Sequence, residues 1–208
     1  PVIIVAVANT GVDRIHEYAP TRGRLEKKKR NRSKGRLRQY GGFLVNELKP
    51  FIDERYRTLT DAESTGLGGS SLGGLATLAL GLWFPHVFQR LAVMSPSIWW
   101  DDCVIYKMVE KLDEEARPPL KIWLDTGTHE PGWERAAVLR EHLLEKGWRL
   151  HDDLQFLEVE GADHSERAWS ERFDAVLRFL YPAERTAVVL PFRRRTKTTV
   201  LRRTANAI

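Results

Sequence analysis

Gly66 to Gly74 reads Gly-Leu-Gly-Gly-Ser-Ser-Leu-Gly-Gly, and few backbones need so many glycines around two adjacent serines. Within it, Gly69-Ser70-Ser71-Leu72-Gly73 fits Gly-x-Ser-x-Gly, the pattern of a sharp strand-to-helix turn that pushes a serine hydroxyl out of the backbone. The flanking glycines remove Cβ atoms where strand and helix pack closely. Upstream, Thr65–Gly68 is a short strand candidate. Downstream, Leu72, Leu75, Ala76, Ala79 and Leu82 recur at helical spacing until Pro85 stops the run. Ser71 therefore falls at the junction, and the Leu72 amide at the helix N-terminus is placed to donate to an oxyanion. The competing reading is a glycine-rich turn that buries a serine. A dinucleotide fingerprint fails, because its third glycine would fall on Ser71, and no phosphate-loop lysine follows.

A nucleophilic serine needs a base and a group that orients the base, and strand-turn-helix serines take them in the order Ser, acid, His. Of six histidines, His142 sits in a polar helical stretch that predicts solvation, and His151 opens an Asp-rich turn. His164 is placed differently. It follows the strand pattern Leu154–Glu160 and the loop Gly161-Ala162-Asp163, so it stands at the carboxyl end of a strand, where α/β active sites gather. For the acid, Lys121-Ile122-Trp123-Leu124-Asp125 reads as a buried strand, with Glu130 in the loop beyond. Spacing does not choose between Asp125 and Glu130; the other is expected to cap the loop or the next helix.

Strand candidates Val2–Val7, Thr65–Gly68, Leu91–Met94, Lys121–Leu124 and Leu154–Glu160 alternate with helices. The helices are Gly41–Tyr56 (interrupted by Pro50), Leu72–Trp83, Cys103–Leu112, Trp133–Lys146 and Ser165–Leu180. Such alternation predicts an α/β three-layer sandwich with a mostly parallel central sheet. The last helix is expected to bury Ala168, Trp169, Phe173, Val176, Leu177 and Leu180.

In this order, the segments resemble the putative esterase family of α/β-hydrolases, which includes enterochelin esterases, esterase D, feruloyl esterases and mycolyltransferases. Its landmarks here are Arg14–Tyr18, read as the end of a strand, Glu47–Tyr56, the Ser71 turn, Met94-Ser95-Pro96-Ser97, Asp125–Glu130, and Gly161-Ala162-Asp163-His164 with Trp169. The resemblance implies an ester or thioester hydrolase with Ser71 as nucleophile, His164 as base and Glu130 as acid, Asp125 in reserve, and Leu72 in the oxyanion hole. It implies a small-molecule ester substrate and calls for no metal or cofactor. Trp99 and Trp100 would wall an acyl pocket or serve as packing. An acyltransferase of the mycolyltransferase type and a catalytically inactive binding protein of the same fold are the alternatives. Family members carry three strands before one matching Val2–Val7, so the resemblance implies an N-terminally truncated hydrolase domain over 1–181, its early strands absent. Of the oxyanion hole, the second donor has no candidate.

Composition fits one domain: 208 residues with 42% hydrophobic content suffice for a sizeable core. No run approaches the ~20 apolar residues of a transmembrane helix. A single cysteine, Cys103, excludes an internal disulfide and any multi-cysteine metal site, but leaves the compartment open. The net charge of +5 is unevenly held: residues 182–208 carry seven Lys/Arg against one Glu, net +6, which leaves −1 for the rest. That stretch reads as a flexible basic tail. With no aromatic interleaving, it does not argue for specific nucleic-acid binding; the basic run 22–38 could attract anionic substrates, but is expected to be a solvated loop. Oligomeric state is left open.

Overall fold

The computed structural model describes residues 2–23, 33–113 and 116–182. A 3₁₀ turn (Gly11–Asp13) leads into α1 (Arg14–Tyr18). Next come α2 (Leu37–Phe43), a π-helical segment (Leu44–Leu48) and α3 (Lys49–Arg55). Then follow β1 (Gly66–Ser70), α4 (Leu72–Trp83), β2 (Arg90–Met94), α5 (Val104–Glu110), β3 (Lys121–Gly127), α6 (Glu134–Glu145), β4 (Leu154–Val159) and α7 (Glu166–Leu180). The four strands are all parallel and lie in the order β1-β2-β3-β4.

Side chains alternate across a strand, and that alternation builds two cores here. Leu91, Val93, Ile122 and Leu124 face the layer holding α4, α5 and α6. Ala92, Met94 and Trp123 face α7, with Val176 and Leu180. The result is three layers, as expected from the strand-helix alternation. Because it sits two residues after Trp123, Asp125 is on the α7 face. β1 is almost all glycine and small residues, a poor strand by propensity. It is held by its register on β2, from Gly66 opposite Arg90 to Ser70 opposite Met94.

Three expectations are corrected. Val2–Val7 forms no strand: Val2 to Val5 are exposed, and the segment borders a groove of about 560 Å³ along the free edge of β1. A β-branched run becomes a strand only where a neighbour takes its backbone hydrogen bonds, and among the described residues Val2–Val7 has none. Arg14–Tyr18 is a helix, not the end of a strand. On α7 the buried stripe is Ala168, Arg172, Val176 and Leu180, one residue every four, whereas Phe173 is 38% exposed.

The basic run is partly docked. Arg36 pairs with Asp13 at 3.2 Å, and the Arg38 guanidinium lies 4.4 Å from the Trp83 ring centroid. Residues 24–32 of that run, and the tail beyond Pro182, lie outside the described residues. Among those described, no helix is long and apolar enough to cross a membrane.

Candidate active site

Ser71 stands between β1 and α4 with φ 59° and ψ −123°, a region costly for any residue with a side chain. The turn is held from both sides: the Ser71 amide donates to the Met94 carbonyl (3.1 Å), and the Ser97 amide to the Ser71 carbonyl (2.9 Å). Two glycines make this possible, and only one of them, Gly69, belongs to the sequence pattern. A Cβ on Gly69 would lie 2.7 Å from the Gly73 carbonyl carbon, and one on Gly74 would lie 2.7 Å from the Met94 carbonyl oxygen. Gly73 itself has open space around its missing Cβ. Leu72 is the first residue of α4, so its amide has no carbonyl four residues back within the helix.

Glu130 and His164 are brought together from two loops. The His164 Nδ1 lies 2.9 Å from Glu130 Oε2, and the Trp169 ring meets the imidazole edge-on with centroids 4.9 Å apart. Gly127 sets the spacing of those loops, because a Cβ there would run into the Ala162 carbonyl. The His129 amide bonds to that same carbonyl at 3.1 Å. Gly127→Ala should therefore part the two loops and weaken the Glu130–His164 contact, measured by the ¹⁵N shifts of the His164 ring with thermal melting as the control for folding.

Burial pushes the Glu130 carboxyl up, but hydrogen bonds from His164, Ser95 and the Gly127 amide, with the His164 charge, hold it below the usual carboxylate range. Asp125 is fully buried and already occupied. Trp123 Nε1 donates to Oδ2 at 2.7 Å, while the Ser95 amide (3.1 Å) and Arg172 Nη2 (3.0 Å) donate to Oδ1. Its burial outweighs these donors and lifts its carboxyl above the ordinary value. The carboxylate beside His164 is thus Glu130, and Asp125 faces Arg172.

Ser71 and His164 share no hydrogen bond; the Ser71 hydroxyl is 3.3 Å from the Ser97 hydroxyl. A pocket of about 40 Å³ beside them is lined by Ser97, Trp99, Glu130, Trp133, Arg135 and His164. Trp99 is 50% exposed and faces it, whereas Trp100 is fully buried. Trp100 donates to Thr21 (3.2 Å) and packs against Gly23, so only the packing reading survives for it. His142 is half-buried: its ring lies 4.9 Å from that of Tyr106, tilted by 35°. Sequence reasoning gave no role to Ser95, Ser97 or Arg172. For Arg172 a signal existed, as the one charged residue in the four-residue stripe that α7 buries.

A family model described as "Putative esterase" matches residues 1–180. The uncharacterized protein YbbA of Bacillus subtilis is 25% identical over 170 residues, covering 74% of this chain and 66% of that protein. Ferri-bacillibactin esterase BesA of the same organism is 31% identical over 137 residues, covering 59% of this chain and 44% of BesA. The crystal structure of the BES protein from Bacillus cereus superposes with a TM-score of 0.64 at 26% identity, covering 85% of this chain and 66% of that one. The chain thus spans just under two thirds of YbbA and less than half of BesA.

Proposed function

The chain belongs to the putative esterase family of α/β-hydrolases, and from that premise we propose that it cleaves a carboxylic ester through an acyl-enzyme on Ser71. The observation that carries this reading is the Glu130–His164 contact at 2.9 Å, beside a serine at a strained strand-to-helix turn. With Glu130 accepting from Nδ1–H, the imidazole Nε2 is free to act as base. In the reaction His164 takes the Ser71 proton as Oγ attacks the ester carbonyl. Glu130 holds the imidazolium that forms, and the Leu72 amide donates to the oxyanion. The tetrahedral intermediate collapses as His164 gives its proton to the departing alcohol. Water, activated by the same imidazole, then releases the acid.

Before attack, the Ser71 side chain must give up its 3.3 Å contact with Ser97 and turn toward His164. Hydrogen bonds of this kind tighten when substrate binds. A thioester is open to the same chemistry. BesA is named as a ferri-bacillibactin esterase, and Trp99 and Trp133 at the pocket would suit an aromatic acyl group.

The test is a fluorophosphonate probe with the labelled peptide mapped by mass spectrometry, run beside p-nitrophenyl ester hydrolysis. Labelling confined to Ser71 with turnover of the ester is the expected result. A label on another serine would overturn the assignment, and no labelling with no turnover would favour an inactive member of the fold. Adding an alcohol acceptor separates hydrolysis from acyl transfer, and release of free acid is expected to dominate.

A further inference from the structure

Ser95 lies at the centre of the most densely bonded cluster beneath the site. It is 2% exposed, at the end of β2, with φ 40°. Its hydroxyl oxygen has three neighbours: Glu130 Oε1 at 2.6 Å, Trp169 Nε1 at 3.0 Å and Arg172 Nη2 at 2.9 Å. A serine hydroxyl carries one proton and two lone pairs, whereas indole and guanidinium groups can only donate. Trp169 and Arg172 therefore fill both lone pairs. The proton is left one direction, onto Glu130.

That bond has a geometric consequence. Glu130 Oε1 takes the Ser95 proton and the Gly127 amide at 2.9 Å, which turns Oε2 toward His164 Nδ1. Arg172 is itself fixed by Asp125 at 3.0 Å and lies 3.9 Å from Glu130 Oε1. Helix α7 thus supplies both donors to Ser95, while the loop immediately before it supplies His164.

We infer that Ser95 is a positioning residue, its hydroxyl proton driven onto Glu130 by Trp169 and Arg172 so that the carboxylate holds His164 with Nδ1 as donor and Nε2 toward the nucleophile. This rests on the esterase reading for its purpose, but its geometry can be tested without turnover. Charged groups facing Glu130 are His164 from the loop before α7, Arg172 from α7, and Asp125 from β3 across Ser95; all remain in Ser95→Ala. Loss of one hydrogen bond to the ionised form raises a carboxyl pKa.

The experiment follows the Glu130 carboxyl by ¹³C NMR titration and the His164 ring by ¹⁵N shifts, in the Ser71→Ala background, with Ser95→Ala added. The Glu130 midpoint is expected to rise by about one pH unit, as a hydrogen bond to a charged group is worth roughly a tenfold factor. The population of the Nδ1–H tautomer should fall. In the active protein Ser95→Ala should lower kcat about tenfold with KM within about twofold. Trp169→Phe, which keeps an aromatic ring and removes one donor, should shift both NMR readouts in the same direction by less, and it serves if Ser95→Ala does not fold. NMR shifts as expected in a protein with no esterase activity would support the positioning while sinking the functional reading. Folded variants with the Glu130 midpoint and His164 tautomer unmoved would overturn the inference.

Discussion

Replacing Ser71 with alanine is expected to lower ester hydrolysis by about 10⁴-fold or more, as loss of a nucleophile from a triad does, while leaving the melting temperature nearly unchanged. Alanine inherits the same backbone strain, and among the described residues the side-chain bond lost is the 3.3 Å contact with Ser97. Ser71→Gly should go further. It removes the nucleophile equally, yet relieves a Cβ held at φ 59°, and strain of this kind is worth about 1–3 kcal/mol. The glycine variant should be inactive and melt higher than the parent. Chemical denaturation and ester kinetics on the two variants check this together. Retained activity in either would remove Ser71 from the mechanism, and destabilisation by glycine would mean the turn is not strained.

The second large effect separates the two buried carboxylates. Glu130→Gln should lower kcat by about 10²–10⁴-fold, since an amide in the orienting position favours the wrong imidazole tautomer, with activity the larger loss and stability the smaller. Asp125→Asn should do the reverse. It leaves the Arg172 guanidinium, only 4% exposed, without its 3.0 Å counter-ion, and breaking such a pair costs about 3–5 kcal/mol. The activity of whatever remains folded should stay within about tenfold of the parent. Urea denaturation and kcat measured on both variants decide it, and the opposite ranking would give the orienting role to Asp125.

Acid titration of stability adds a sign test. The folded-state pKa of Glu130 is lowered. The stability it contributes is therefore present above its unfolded pKa and is lost as pH falls through its folded value. The Glu130→Gln variant should show a smaller loss over that acid range.

Local signals in the chain went far. The glycine run, the helical spacing from Leu72 to Leu82 and the stop at Pro85 placed Ser71 at a strand-helix junction, and it is there. His164 was legible because a loop after a strand is a short-range feature. The failures share a cause. Val2–Val7 has every intrinsic preference of a strand, but strand pairing is a contact with distant residues that no local pattern encodes. Phe173 was assigned to the buried face of α7 because it is apolar; the helix instead turns Arg172 inward, where Asp125 waits on β3.

What the sequence alone determined is therefore what depends on residues near one another: the alternation of strands and helices, the turn at Ser71 and the candidate triad members. The residues' own spacing left the acid open and the family resemblance pointed to Glu130; the tertiary structure adds where each carboxylate lies. Asp125 and Glu130 are five residues apart and chemically alike. Strand alternation turns Asp125 to the α7 face and Arg172, while Gly127 lets the loop carrying Glu130 close onto the loop carrying His164. The fate of each carboxylate was settled by what lay opposite it in space, 47 residues away for Asp125 and 34 for Glu130.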